Sequence, residues 1–416
     1  MKNILVLLAL CWTIGAIAQS DSVSLGAGAT NMVFYNVATG AKTVAANDDW
    51  HLAFTVKAAI PPYNTNQAAA IRINEAYGLK LFRSPNQKLD VWSSFDTTGY
   101  TSWQQMHNPD TTWTIGAFNI NKNFGDDYNY GWGEYAFALH SVESDSSIYL
   151  LQLPDGEFRK FAIRNLDYDT VFNVQYDKLD NSDFTAGHIE KKPYRTKSFV
   201  YYNLETKTVM DKEPAVNTWD MVFTRYNNTV YNSSDLSQDM GVLTNDANKT
   251  YVASGATAQQ QCYNGSGSSY INTIGKSWMS STTPDSLSYF VSGNISGNFK
   301  FTMTVFDGSY NGLMGFNTNR CAATGVADIA GNSAEMTAYP VPASDILHVK
   351  LVSENESSAS IQLLDMSGRM ISAQDVNVSS GENVFTINTS ALQSGNYILS
   401  VSSSAGKINR MVSVVR

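Results

Sequence analysis

The chain has 416 residues and a formal net charge of −9 at pH 7. Its 28 Lys and Arg are scattered, which argues against the clustered basic surface that nucleic acid requires. Charged residues reach only 16% against 12% aromatic, and Gly, Asn, Thr, Ser and Tyr are abundant, the balance of a turn-rich extracellular β protein of two or three domains.

Residues 1–18 read as a signal peptide. Lys2 supplies the positive end, Ile4 to Ala18 is almost wholly apolar, and Ala16-Ile17-Ala18 is a small-residue cleavage site. The apolar run is short for a membrane span, which needs about 20 residues. Cys11 follows Leu10 rather than a small residue, so lipidation is the weaker reading and Gln19 is the expected mature start. No later stretch is long and apolar enough to span a bilayer.

From Ser20 to about Ala323 the chain repeats itself. Val33-Phe34-Tyr35-Asn36 followed by Trp50-His51-Leu52-Ala53-Phe54-Thr55 returns as Val200-Tyr201-Tyr202-Asn203 followed by Trp219-Asp220-Met221-Val222-Phe223-Thr224. Ser102-Trp103 and Pro109-Asp110 return as Ser277-Trp278 and Pro284-Asp285. Anchors in the same order at nearly constant spacing indicate duplication. The halves are placed at 19–195 and 196–323.

Large residues on alternate positions (Trp50, Leu52, Phe54; Trp219, Met221, Phe223) predict strands with one buried face and one wet face. By that alternation His51 falls on the polar face. Leu153-Pro154-Asp155-Gly156 predicts a hairpin between Ser147–Leu153 and Glu157–Ile163, and Ser296-Gly297 a similar turn. Gln67–Ile73 is the best short helix candidate. After maturation two cysteines remain, Cys262 and Cys321, and an oxidising compartment favours their pairing.

Residues 324–338 are small and polar and read as a linker. Beyond them, short alternating segments at Ile346–Leu351, Ile361–Leu363, Val384–Ile387, Tyr397–Val401 and Met411–Val415 are separated by turn residues and predict a small β-sandwich over 339–416. Tyr339-Pro340-x-Pro342-Ala343-Ser344-Asp345, Asp365-x-x-Gly368-Arg369 and Leu392-x-Ser394-Gly395-x-Tyr397 closely resemble the type A C-terminal sorting domain of the type IX secretion system of Bacteroidetes. The resemblance implies the secretion machinery as a partner, removal of the tail, and a protein at the cell surface or released from it.

A second resemblance lies in the large region. Phe199-Val200-Tyr201-Tyr202, Glu213-Pro214 and Trp219-Asp220-Met221-Val222-Phe223-Thr224-Arg225-Tyr226 resemble the HmuY-like family of secreted or surface β proteins, which are best known as haemophores. The match is strong over about 140–320 and weaker over the first copy, which has His51 where the second has Asp220. The resemblance implies an all-β fold and haem as a possible ligand. Haem needs His, Met, Cys or Tyr donors in an apolar cleft. His107 beside Met106, with Trp103 and Trp113 nearby, is the leading candidate; His140 and His188 follow.

Enzyme signatures such as HExxH, GxSxG, a phosphate-binding glycine loop and CxxC are missing, and no metal site is expected. The expectation is a non-catalytic binding protein that captures haem or a similar hydrophobic ligand. The alternative is an adhesin binding surface glycans on exposed aromatics such as Tyr130 and Trp132.

Overall fold

The structure is a computed structural model that describes residues 19–57, 69–229, 236–260, 262–263, 267–280, 287–293, 295–307, 312–321, 335–353, 356–365, 369–403 and 406–416. The signal-peptide reading therefore lies outside the described residues. The chain divides into two compact units, residues 1–321 and 322–416, and is mostly β-strand in antiparallel sheets.

Four sheets build the first unit. The first inner sheet runs in the order Thr208–Met210, Phe199–Asn203, Leu52–Thr55, Ile71–Ile73. The second runs Leu236–Thr244, Met221–Thr229, Asn31–Tyr35, Lys42–Ala46. One outer sheet has Thr185–Glu190, Val171–Lys178, Phe158–Asp167, Ser147–Gln152, Lys80–Lys88 and Gln104–Met106 in line, with Gly133–Ala136 and Ser141–Ser144 attached beside them. The other has Gln19–Ser24, Leu313–Arg320, Phe299–Asp307, Leu287–Ser292 and Lys249–Ser254. Each inner sheet takes two strands from residues 19–195 and two from 196–321. Gln19–Ser24 holds, in the second outer sheet, the edge place that Thr185–Glu190 holds in the first.

Alternation along the inner strands sends neighbouring side chains to different cores. Leu52, Phe54, Val200 and Tyr202 pack on the first outer sheet with Leu151, Phe161 and Val174. Val33, Tyr35, Met221 and Phe223 pack on the second with Tyr289, Phe301 and Phe316. The residues between them, Met32, Phe34, Ala53, Phe199, Tyr201 and Val222, meet in a third core between the inner sheets. The expected wet face is therefore covered. Strands buried on both faces read as continuous apolar runs, as in Met32-Val33-Phe34-Tyr35.

One hydrogen-bond frame recurs in both inner sheets. Asn36 Nδ2 donates to Thr218 O (2.9 Å) and Asn203 Nδ2 to Asp49 O (2.7 Å). Asn74 Nδ2 donates to Trp50 O (2.9 Å) and Asn245 Nδ2 to Trp219 O (3.0 Å). Asp220 is fully buried and accepts from Val37 N–H (2.8 Å). At the matching place His51 Nδ1 accepts from Leu204 N–H (3.0 Å). His51 is thus not on a wet face: it is 5% exposed and replaces a carboxylate as acceptor.

That role requires a neutral ring. Burial, with Arg159 nearby, pushes the imidazole down to about 4 from 6.5. A depressed histidine stabilises the fold above the unfolded value and loses that contribution as pH falls from about 6.5 to about 4, roughly 3 kcal/mol in all. Urea unfolding at pH 7.5 and 4.5 should show this loss in the native chain. The loss should shrink in His51→Asn, whose amide oxygen can accept without titrating.

The helix expected at Gln67–Ile73 does not form where the chain is described; residues 67 and 68 lie outside that range. Ile71–Ile73 is a strand in register with Leu52–Phe54, because two β-branched residues flank one polar residue on a pleated surface. The hairpin at Leu153–Gly156 is present, with Tyr149 opposite Phe161 and Gly156 at φ 92°. Cys262 and Cys321 are disulfide-bonded, their Cα atoms 5.5 Å apart. Closing a loop of this size stabilises a fold by about 4 kcal/mol in the chain-entropy treatment.

The second unit is a β-sandwich. One sheet holds Glu335–Tyr339, Ile346–Ser353 and Gly381–Asn388; the other holds Met370–Val378, Ser357–Asp365, Gly395–Ser403 and Gly406–Val414. Leu347, Val349, Ile361, Leu363, Leu399 and Val412 fill the space between them. Tyr339 stacks on His348 at 5.3 Å, and Tyr397 Oη donates to Gln393 O (2.9 Å). Asp345 O accepts from Thr389 N–H (2.8 Å). Arg369 donates its backbone N–H and Nε to Asp365 (both 3.0 Å), so the two ends of that motif are bonded to each other. Pro340, Pro342 and Gly395 lie on the surface of this unit; Gly368 lies outside the described residues.

Candidate ligand pocket

Between the two inner sheets the third core opens into a pocket with about 100 Å³ of internal space, its mouth continuous with solvent. That is below the range of about 300–1,000 Å³ typical of small-molecule sites, so a larger ligand must fill the open mouth as well. Aromatic walls come from Phe34, Trp50, Trp113, Tyr201, Trp219 and Tyr226, with Arg72, Glu75, Asp110 and Glu213 among them. Trp50 meets Tyr201 edge-on at 4.9 Å, and Phe34 meets Trp219 at 5.1 Å. Such contacts fix the ring orientations.

Arg72 sits between Ile71 and Ile73 and therefore points to the inner side of its strand. Its guanidinium donates to the carbonyls of Thr112 (2.7 Å), Ile115 (2.9 Å) and Pro109 (3.0 Å) and lies over the Trp113 ring, 5.3 Å from its centroid. Burial lowers it to about 10, against the pull of Glu75, Tyr201 and Asp110. Trp113 Nε1 donates to Thr244 O (2.9 Å).

Glu213 is 6% exposed. It accepts from Ser198 N–H (3.0 Å), Phe199 N–H (3.2 Å) and Tyr201 Oη (2.7 Å). Burial raises its carboxyl from 4.5 to about 7, although those three donors and Lys57 oppose the rise. Tyr201 itself is raised well above 10 by burial beside that carboxylate.

These polar groups depart from the repeated frame. Arg72 lies opposite Ala53, and Leu243 lies opposite Val222 at the matching place. Glu213 follows Thr208–Met210, while the matching strand Lys42–Ala46 carries no acid. The departures converge on one pocket.

The four candidate haem ligands do not converge. Met106 is buried in the first core. His107 points the other way from the same strand end; its Nδ1–H donates to Glu75 Oε1 (2.6 Å), and its side chain is 34% exposed. Glu75, in turn, lines the pocket, so His107 stands one residue behind the wall. His140 is exposed against Tyr168, and His188 is exposed with Nδ1 on Asn173 (2.6 Å). Tyr130 and Trp132 are core residues, Trp132 donating Nε1 to Ala69 O (3.0 Å). The exposed aromatics nearby are different ones. Phe137 contacts Tyr128 at 4.8 Å and Tyr135 at 5.2 Å.

Residue spacing pointed to the histidines and missed Arg72 and Glu213 as site residues. A lone Arg between two β-branched residues was the available signal.

Among the described residues no cluster of metal-binding side chains is present and no helix is long and apolar enough to cross a membrane. No curated protein matches the chain. Dimeric latent PorU from Porphyromonas gingivalis is similar at 12% identity over 67% of this chain and 32% of that one, with a TM-score of 0.18. A Faecalibacterium prausnitzii β-glucuronidase is similar at 15% identity over 26% of this chain, with a TM-score of 0.16. The chain spans 17% of that enzyme's length. At such TM-scores these likenesses carry no argument. Residues 337–414 match the secretion system C-terminal sorting domain family. The tail is a type IX sorting domain, and the protein is exported by that route to the cell surface or the extracellular space.

Proposed function

We propose that the exported protein is a non-catalytic binding protein whose ligand site is the pocket between the inner sheets. Its ligand is a flat, largely apolar molecule of the haem kind. The convergence of the frame-breaking residues Arg72 and Glu213 on one aromatic-lined pocket, with Trp113 under the Arg72 guanidinium, carries this reading. The HmuY-like resemblance supports it. His107 is the one of the four candidates bonded to a pocket residue, its Nδ1 on Glu75 at 2.6 Å.

Haemin titration of the mature chain, followed by absorbance, tests the proposal. A saturable band is expected, altered in position and weakened in His107→Ala. No band would remove the proposal. An unchanged band after replacing His107, Met106, His140 and His188 together would remove iron ligation by any of them.

A second reading is glycan binding at exposed Phe137 with the half-buried Tyr128 and Tyr135 beside it, since aromatic faces can stack on sugar rings. Glycan-array binding lost in Phe137→Ser, with haemin binding absent, would favour it.

A further inference from the structure

We infer that Glu213 is the proton-linked specificity residue of the pocket, so that an anionic or water-displacing aromatic ligand binds there with uptake of one proton. The inference rests on the pocket being the ligand site proposed above. Its ground is an unneutralised carboxylate in an aromatic wall.

All three donors to Glu213 are neutral: two backbone amides and the Tyr201 hydroxyl. Among the described residues no cation lies within ion-pair distance of it. The charged groups on the surrounding elements are committed elsewhere, Arg225 of the pocket wall to Gln238 and the Tyr77 ring. Arg72 is spent on three carbonyls and the Trp113 ring. Lys57 pairs with Asp246, and the adjacent Lys212 pairs with Asp49 (2.6 Å). Glu75 and Asp110 add further acidic groups to the same pocket.

Glu213 keeps 6% exposure at the wall of the partly open pocket, and that residual access to water offsets part of the cost of its charge. A ligand that displaces the water removes the offset, and an anionic one adds repulsion. Protonation relieves both. The site accepts the proton without losing its bonds: Oε2 still faces the two amides, while a proton on Oε1 can be donated to the Tyr201 oxygen. The elevation of this carboxyl to about 7 agrees with such a site.

The sign follows. At low pH the carboxyl is already neutral and the ligand binds at no further cost. Above about 7 the ligand must bring a proton with it, and affinity falls by up to about tenfold per pH unit.

The test is a fluorescence titration of the mature chain with metal-free deuteroporphyrin IX between about pH 6 and pH 8.5. Without iron, protonation of a ligating histidine does not enter. Binding about tenfold weaker at the high end is expected, with a flat profile in Glu213→Gln of unchanged circular dichroism. Tyr201→Phe removes a donor that favours the charged form and should move the transition to higher pH. His107→Gln should keep the native slope. The native slope persisting in Glu213→Gln would overturn this inference alone. Absence of porphyrin binding at every pH would remove the pocket reading with it.

Discussion

Expressed separately, residues 19–195 and 196–321 should each fail to give a stable monomer with a cooperative unfolding transition, whereas the two expressed together should associate. Asn31–Tyr35 pairs with Met221–Thr229 only through residues of the other half, and Leu52–Thr55 depends in the same way on Phe199–Asn203. A lone first half would expose Val33 and Tyr35, both 1% exposed or less in the whole unit, and the third-core residues Met32, Phe34 and Ala53. It would also leave two strand edges open to aggregation. The loss amounts to the whole stability, about 5–15 kcal/mol for an ordinary domain. Circular dichroism melts and sedimentation of each half are the measurements. A soluble monomeric 19–195 with one sharp transition would show that the inner sheets are not shared.

The largest single-residue effect is expected at Asp220. Its carboxylate accepts from Val37 N–H (2.8 Å), Ser296 N–H (3.2 Å) and Ser296 Oγ (2.5 Å) with no exposure to solvent. Burial raises its pKa while those donors oppose the rise. Asp220→Ala removes three bonds and strands two buried amides, a cost of roughly 3–5 kcal/mol. Asp220→Asn, which keeps one acceptor oxygen, should lose less. Urea unfolding of the two variants checks the order. Equal small losses would mean that water replaces the carboxylate and that the frame does not depend on it.

Asp220 also shows how much the sequence carried. The paired Tyr-Asn and Trp anchors marked strands that do pair across the halves, and the tail strands are where alternation placed them. What alternation could not show is whether a second face is wet. Met32-Val33-Phe34-Tyr35 looks alike on a half-buried sheet and on one covered twice. His51 was misplaced for the same reason: a polar residue between apolar ones reads as outward when its neighbour is solvent, not a second sheet. The pocket was less legible still. Arg72, Trp113 and Glu213 come from three distant segments that meet only in the folded chain, Arg72 and Glu213 from opposite edges of the first inner sheet. The sorting tail was legible because its motifs are local; Asp365 and Arg369, four residues apart, bond to each other.

The central claim is that ligand enters between the inner sheets. Hydrogen–deuterium exchange of the mature chain, with and without deuteroporphyrin IX, tests it most directly. Added ligand should slow exchange in Ile71–Ile73, Ser198–Tyr202 and Val222–Tyr226, the segments that carry the pocket wall. Protection confined to Tyr128–Phe137, with those strands unchanged, would contradict it.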